Sequence, residues 1–333
     1  MQKRWTWLAL VLVATIVFWG CSDDDSGTVQ PELFGQTAFE AMAEAGAQYI
    51  NDNTQTPGVM LATALNANLS DYTVIDIRTQ GDYDAGHIPG AFHSTLGTLI
   101  NDLASIPTNK PYVIVCKTGQ TAGHAKLAME VLGYGDVYSL KFGMADWNSS
   151  LSGPWTGNCG DNLVNPDPET TNNNGSLTSN GFPTLSGDVS SIVQTRVAAM
   201  LQAGFKVIGY SDIRDNLGDY FILNYFGQAD YEGTGTSGVP GHIPGAFQFT
   251  PYASLGIDQM LNNLPTNKTI VVYCWTGQHS SQVTAYLNML GYDAVSLKFG
   301  SNNLFHTNLS GHKWGGDSAN NFTLETTAVV ATH

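Results

Sequence analysis

Two cysteines in this chain of 333 residues occupy matching positions that favour nucleophilic thiol chemistry. Cys116 lies in VIVCKTGQTAG, and Cys274 lies in VVYCWTGQHSS. Each cysteine follows a short apolar, β-branched segment that predicts a strand, and each precedes a glycine and a helix-like segment. A thiol at such a junction faces backbone N–H groups, which stabilise a thiolate and any anion beside it. We therefore predict that both cysteines are reactive.

The cysteine segments belong to a longer internal repeat. GHIPGAF occurs at 86–92 and again at 241–247, and PTNK precedes both cysteine segments. LGY and then SLKFG follow each cysteine in the same order. This shared order indicates a duplication. We predict a first copy at 28–164, a polar and turn-rich linker at 165–183, and a second copy at 184–333.

Strands and helices alternate in the first copy, as expected for an α/β fold. The pattern predicts strands at 72–77, 111–116 and 136–140, and helices at 39–50, 60–68, 95–104 and 122–132. Continuous apolar strands separated by helices imply a parallel sheet with helices on its faces. Ligands of such sheets bind at the carboxyl ends of the strands, where Cys116 lies.

The N-terminus has the features of a secretory signal. A positive start is followed by an apolar stretch from Trp5 to Trp19 and then by Gly20-Cys21, which resembles a bacterial lipoprotein signal. We predict a signal peptide at 1–20, lipidation of Cys21 and a tether at 21–27. The alternative is an uncleaved anchor with an incidental cysteine. Both versions predict an extracytoplasmic protein tethered to a membrane, in the periplasm or on the cell surface.

The overall charge bounds the possible partners. The formal net charge is −15, which argues against a nucleic-acid partner. No Cys/His spacing suggests a metal site, and we expect no cofactor.

The motifs together resemble the rhodanese (sulfurtransferase) domain. The resemblance rests on Asp76-Ile77-Arg78, on Gly86 to Ala91, and on Cys116-x-x-Gly119-x-Thr121 in the first copy; the second copy resembles the family through Gly241 to Ala246 and Cys274 to His279. It implies two tandem rhodanese-like domains, each a parallel sheet flanked by helices. It also implies that a loop cysteine takes a sulfane sulfur from a small anionic donor such as thiosulfate. The resulting persulfide then passes this sulfur to cyanide or a thiol.

Substrate binding is assigned by the same resemblance to the residues after each cysteine. These are Lys117, Thr118, Gly119, Gln120 and Thr121 in the first copy, Trp275, Thr276, Gly277, Gln278 and His279 in the second, together with Arg78. The loop amides are expected to lower the cysteine pKa, and Lys117 and His279 to add positive charge. The alternatives are a solvated Lys117, threonines that cap the following helix, and Trp275 and His279 as ordinary loop residues.

The second copy departs from the family pattern in ways that bear on its chemistry. Asn224 and Phe226 stand where the first copy has Asp76 and Arg78, a pair that braces the loop in the family. A longer glycine-rich segment, 233–241, precedes its GHIPGAF motif. We therefore expect the first copy to suit small anions better.

Other functions compete with sulfur transfer. A cysteine-dependent phosphatase or arsenate reductase requires a loop arginine, but Ala122 and Ser280 stand six residues after the cysteines. A non-enzymatic persulfide carrier or binding module is the other alternative. Cys159 has no counterpart in the second copy and is an idle buried thiol, a resolving cysteine or a disulfide partner.

Overall fold

Two parallel sheets with the same strand order are present in the computed structural model, which describes residues 37–51, 58–164, 166–315 and 319–327. The first sheet contains β1 (Val59–Met60), β2 (Thr73–Asp76), β3 (Phe92–His93), β4 (Tyr112–Val115) and β5 (Val137–Leu140), in the order β1-β5-β4-β2-β3. The second contains β6 (Val207–Ile208), β7 (Phe221–Asn224), β8 (Phe247–Gln248), β9 (Ile270–Tyr273) and β10 (Ala294–Leu297), in the order β6-β10-β9-β7-β8. All paired strands are parallel, which confirms the predicted α/β class with two tandem domains.

Helices flank both sheets. The first copy contains α1 (Ala38–Ile50), α2 (Ala62–Ala67), α3 (Gln80–Ala85), α4 (Leu99–Asp102), α5 (Gln120–Val131), α6 (Met144–Trp147) and α7 (Gly153–Thr156). The second contains α8 (Ile192–Ala203), α9 (Tyr210–Ile213), α10 (Gln228–Tyr231), α11 (Gln278–Met289) and α12 (Ser301–Leu304). A capping box starts α1, because Thr37 Oγ1 accepts from Glu40 N and Glu40 Oε2 accepts from Thr37 N.

Two predicted helices are shorter than the sequence pattern suggests. The helix predicted at 60–68 begins at Ala62, because Met60 pairs with Leu140 in the sheet. The helix predicted at 95–104 is reduced to α4. Before it, the hydroxyls of Thr95 and Thr98 lie 2.9 Å apart and cap each other's backbone in a local turn.

The two copies share one apolar interface built from α1, α5, α8 and α11. Phe39, Leu127, Met200 and Tyr286, one from each helix, belong to a single buried cluster. Gly46 permits close packing of α1 on α11, since a Cβ there would lie 2.6 Å from the Tyr286 ring. The two helices that follow Cys116 and Cys274, α5 and α11, are packed against each other.

Two segments complete the GHIPG turns: the end of the second copy pairs with the turn of the first copy, and the linker pairs with the turn of the second copy. Glu325 exchanges two backbone hydrogen bonds of 2.9 Å with His87, and its carboxylate accepts from Gly90 N at 2.8 Å. The predicted linker contributes the equivalent residue, Glu169. It pairs with His242 through backbone bonds of 2.8 and 2.9 Å, and its carboxylate accepts from Gly245 N at 2.7 Å.

Replacing Glu169 with glutamine is expected to lower the free energy of unfolding at pH 7 by about 1 kcal/mol. Burial acts to raise the pKa of Glu169, but the Gly245 amide, Asn173 and His242 outweigh it, so the pKa is lowered. A lowered pKa stabilises the fold above the unfolded value of about 4.3, and this stabilisation is lost as the pH falls through the folded pKa. Urea titrations at pH 7 and pH 3 measure this difference.

The difference between wild type and Glu169→Gln should therefore disappear at acid pH. Asp167→Asn is the control, because Asp167 is an exposed carboxylate in the same segment. Equal destabilisation at both pH values would contradict the role of the Glu169 charge.

The predicted signal at 1–20, the lipidation site Cys21 and the tether at 21–27 lie outside the described residues. Within the described ranges, no helix combines the length and apolar character that a membrane crossing requires.

Candidate active site

Cys116 lies directly after β4, where the backbone turns into α5. Its Sγ accepts hydrogen bonds from the N–H groups of Gly119, at 3.1 Å, and Ala122, at 3.3 Å. Gly119 has a φ of +82°, which glycine adopts without steric cost and which turns the loop into the helix. The side chain is buried, with 5% exposure. Two backbone donors and the N-terminus of α5 therefore surround this sulfur.

The pKa of Cys116 is raised rather than lowered. Burial is the main cause, and Asp76 adds to it, while the amides of Thr118, Ala122 and Gly119 oppose the shift. The expectation of a lowered pKa was wrong. The free-energy cost of removing the thiolate from water exceeds the stabilisation that the hydrogen bonds from these amides provide.

Lys117 stands at the exposed rim of the first site. Its Nζ lies 2.9 Å from Asp82 Oδ2, and its side chain is 55% exposed. Burial acts to raise the Asp82 pKa, but the Thr79 hydroxyl and Lys117 outweigh burial and lower it. A cavity of about 220 Å³ beside the loop is lined by Arg78, Asp82, Lys117, Met144, Ser150, Leu151, Gly153 and Pro154. The rim thus offers a cation and room for a small anion.

Arg78 braces this region. Its guanidinium donates to the carboxylate of Asp76, with Nη2 2.6 Å from Oδ2, and also donates to Gly86 O at 2.6 Å. Both side chains are almost fully buried. Arg78 thereby ties the end of β2 to the GHIPG turn.

The remaining loop residues of the first copy divide into two groups. Thr118 and Thr121 are half-buried at the start of α5, and Thr118 Oγ1 accepts from Gln120 Nε2 at 3.1 Å. Gln120 is buried, and its side chain turns away from the Cys116 sulfur, since its Oε1 accepts from Phe299 N of the second copy at 3.0 Å. The oxygen of its amide is therefore bonded to the other copy, whereas the nitrogen is bonded to Thr118 of its own loop.

Cys274 occupies the equivalent position after β9 and is 1% exposed. Its Sγ accepts from Ser280 N at 3.3 Å and lies 3.7 Å from Ser280 Oγ. The same hydroxyl lies 2.8 Å from Ser296 Oγ, which holds it in place. Gly277 has a φ of +80° at the start of α11, as Gly119 does before α5. Thr276, like Gln278, is buried.

An aromatic stack is built around Trp275, the residue that follows Cys274. Trp275 lies between Phe226, at a ring-centroid distance of 4.1 Å, and His312, at 5.4 Å. Asn224 stands in place of Asp76 and forms hydrogen bonds through its side-chain amide. It accepts from Phe226 N at 3.1 Å and donates to Tyr273 Oη at 2.8 Å. The second site is therefore uncharged where the first has the Asp76–Arg78 pair.

His279 does not supply positive charge. Burial, followed by nearby Lys126, His312 and Lys141, lowers its pKa to about 4. Its Nε2 is hydrogen-bonded to Tyr252 Oη at 3.2 Å. Of the two interpretations of His279, an added positive charge is wrong and an ordinary loop residue fits, because burial keeps the ring neutral at physiological pH.

A phenylalanine-glycine turn lies beneath each cysteine loop, and the sequence pattern did not predict it; we call this turn the seat of the loop. Phe142 and Phe299, in the repeated SLKFG motifs, have φ values of 59° and 62°, which are rare for non-glycine residues. A Cβ on Gly143 would overlap the Cys116 carbonyl, and one on Gly300 would overlap the Cys274 carbonyl. The repetition of SLKFG is the sequence signal for this turn, but repetition alone indicates duplication and not a structural role.

Neither GHIPG histidine approaches a cysteine through a hydrogen bond; each shapes its own turn. His87 Nδ1 donates to Tyr83 O at 2.8 Å, and His242 Nδ1 donates to Tyr231 O at 2.7 Å.

Cys159 is a free, half-buried thiol whose pKa is raised by burial to about 11. Among the described residues, no cluster of His, Cys, Asp and Glu could hold a metal ion.

Known proteins carry the same domain. The model of the rhodanese-like domain family matches residues 61–150 and 194–305, and each matched region includes one loop cysteine. This chain belongs to the rhodanese-like domain family.

Sulfurtransferases are among its relatives. Thiosulfate sulfurtransferase GlpE from Pseudoalteromonas translucida is 30% identical over 82 residues, covering 25% of this chain and 78% of the relative. GlpE from Shewanella oneidensis is 31% identical over 77 residues, covering 23% and 76%. A rhodanese-like domain protein from Staphylococcus aureus is similar in structure, with 26% identity, a TM-score of 0.25, and coverage of 27% of this chain and 90% of that one.

Lys117→Met is expected to raise the KM for an anionic sulfur donor about fivefold with little change in kcat, as for the loss of one exposed charge interaction. Added salt should shrink the effect, because the side chain is exposed. Lys206→Met is the matched control, since Lys206 forms a comparable exposed pair with Asp293 at 3.1 Å. Steady-state kinetics at two ionic strengths measure both effects, and a lower kcat with an unchanged KM would contradict this role.

Proposed function

We propose that this protein is a sulfurtransferase that carries sulfane sulfur as a cysteine persulfide. The donor is a small anion such as thiosulfate, and the acceptor is cyanide or a thiol. The observation that carries this proposal is the Cys116 sulfur in a family-matched loop, which accepts hydrogen bonds from the N–H groups of Gly119 and Ala122. The exposed Lys117 ammonium, paired with Asp82, stands beside this loop.

The first half-reaction loads the enzyme. The Cys116 thiolate attacks the outer sulfur of thiosulfate, a new S–S bond forms, and the old one breaks. Sulfite leaves with the bonding electron pair, and a persulfide anion remains on Cys116. The loop amides and the N-terminus of α5 favour this negative charge.

The second half-reaction removes the transferred sulfur from Cys116. The acceptor attacks the outer persulfide sulfur, and the S–S bond to Cys116 breaks. With cyanide the product is thiocyanate, and the electron pair returns to the Cys116 thiolate. Neither half-reaction needs an outside oxidant or reductant, because the nucleophile's lone pair forms each new bond and the electron pair of the broken S–S bond leaves with sulfite or returns to Cys116.

The two sites are proposed to differ in donor preference. The first has Lys117 at its rim, whereas the second has the aromatic stack of Trp275 and a neutral His279. A dianionic donor gains less electrostatic attraction at the second site. We assign thiosulfate to Cys116 and a less charged sulfur donor or a thiol acceptor to Cys274.

The rate of sulfur loading at Cys116 is expected to rise about tenfold per pH unit up to the ordinary thiol pKa of about 8.5, and to keep rising beyond it. The reason is that only the thiolate attacks, and burial raises the pKa of Cys116. Stopped-flow measurement of sulfite release from thiosulfate between pH 6 and pH 10 tests both the function and this slope. A rate that is already constant below pH 7 would contradict the raised pKa, and absence of sulfite release from folded protein would contradict the function.

A persulfide carrier is the second candidate, favoured by the burial of Cys274, whose side chain is 1% exposed. A carrier would load once without turning over cyanide, whereas an enzyme turns over many equivalents. A phosphatase role lacks the required loop arginine, since Ala122 and Ser280 occupy the end of the two loops.

We also propose that the protein is exported and tethered through lipid on Cys21. The support is the signal-like order of charge, apolar stretch and Gly20-Cys21. Fractionation of cells expressing the full chain and Cys21→Ala should show a shift from the membrane fraction to the soluble one. Equal membrane association of both chains would contradict lipidation at this residue.

A further inference from the structure

A pair of buried glutamines crosses the interface between the two cysteine loops. Gln278, in the second loop, accepts from Phe142 N at 3.3 Å and donates to Leu140 O at 3.3 Å in the first copy. Gln120, in the first loop, accepts from Phe299 N at 3.0 Å in the second copy. Both side chains are at most 4% exposed.

Tight packing fixes these glutamines in place. A Cβ on Gly119 would overlap Gln278 Nε2, and one on Gly277 would overlap Gln120 Oε1. Each glutamine side chain therefore lies directly against the helix-start glycine of the opposite loop. The glutamines fill spaces that only glycine leaves open.

The residues that they hold form the seats of the nucleophiles. Phe142 and Gly143 make the turn under the first loop, and the next residue, Met144, donates its N–H to Cys116 O at 2.9 Å. Phe299 and Gly300 make the equivalent turn, and Ser301 donates to Cys274 O at 3.0 Å. Both phenylalanines have left-handed backbones, a conformation that is unfavourable for a residue with a side chain and needs support from its surroundings.

We propose that Gln278 is a positioning residue for Cys116 and that Gln120 is a positioning residue for Cys274. Each acts across the interface, through the phenylalanine-glycine turn that supports the opposite cysteine loop. The two copies thus depend on each other for the geometry of their sites. This inference rests on the proposed function only where it concerns sulfur loading; the positioning of the thiols does not require it.

The test uses the full chain with Gln278→Met or Gln120→Met, which approximately keep the side-chain volume and remove the whole amide, both its acceptor oxygen and its N–H donors. Iodoacetamide alkylation and thiosulfate loading are each followed by peptide-resolved mass spectrometry of Cys116 and Cys274. We expect Gln278→Met to raise Cys116 alkylation and lower Cys116 sulfur loading, each about fivefold, as for one lost hydrogen bond. The larger effect of Gln120→Met should fall on Cys274 alkylation.

Gln228→Met, on exposed surface of α10, is the control and should leave both alkylation rates unchanged. Larger effects on the cysteine of the same loop, or equal effects on both cysteines, would overturn the proposal. If the wild type takes up no sulfur, the proposed function fails, but the crossed pattern of alkylation still decides this inference.

Discussion

Cys116→Ser is expected to lower thiosulfate-to-cyanide sulfur transfer by at least ~10³-fold. Serine keeps the approximate size and an acceptor for the N–H groups of Gly119 and Ala122 but cannot form a persulfide, because it has no sulfur. The assay is steady-state formation of thiocyanate by the full chain. Because the side chain changes by one atom, the melting temperature should stay close to that of the wild type.

Cys274→Ser provides the matched comparison. Cys274 is 1% exposed and is followed by the Trp275 stack, so it contributes less to transfer from a dianionic donor. We expect this variant to retain the larger part of thiocyanate formation. Greater loss in Cys274→Ser than in Cys116→Ser would show that the assignment of the thiosulfate site is reversed.

Gly143→Ala is expected to destabilise the fold by about 3 kcal/mol and to lower sulfur loading at Cys116 at least tenfold. Gly143 has a φ of 64°, and an added Cβ would overlap the Cys116 carbonyl and lie 2.7 Å from Thr118 N. Relief of this overlap must displace the loop whose amides surround the sulfur. Urea unfolding measures the first effect, and the rate of sulfite release measures the second.

Gly135→Ala is the control for this substitution. Gly135 is exposed, and a Cβ there would have no neighbour within 4 Å. It should change neither stability nor loading by a measurable amount. Wild-type loading and stability in Gly143→Ala would contradict the role of the Phe142–Gly143 turn as the seat of the loop.

Much of the fold follows from local pattern. The apolar strands ending near Asp76, Cys116 and Leu140 lie in one parallel sheet, as their composition and spacing predict. The placement of each cysteine after a strand and before a helix also follows from sequence, because glycine at the fourth position marks the turn. Repetition of the motifs predicts two such domains.

The contacts between the copies do not follow from such patterns. Glu169 and Glu325 lie in polar segments without periodicity, and only the folded chain brings them to the GHIPG turns. The substrate-binding assignment of Gln120 and Gln278 treated each loop as isolated. A buried amide with its acceptor on the other copy is set by tertiary packing, which no single-copy motif encodes.

The electrostatics of the sites also depend on burial rather than on residue type. His279 is neutral because it is enclosed near Lys126 and Lys141, and the Cys116 thiol is held protonated despite its amide donors. Sequence identifies the titratable groups but not how much water they lose.

The mass of sulfur added to Cys116 tests the proposed persulfide most directly. The full chain is incubated with thiosulfate, and the cysteine-containing peptides are analysed by mass spectrometry before and after addition of cyanide. We predict one added sulfur on the Cys116 peptide, which cyanide removes with formation of thiocyanate. A folded protein in which Cys116 gains no sulfur from thiosulfate would contradict it.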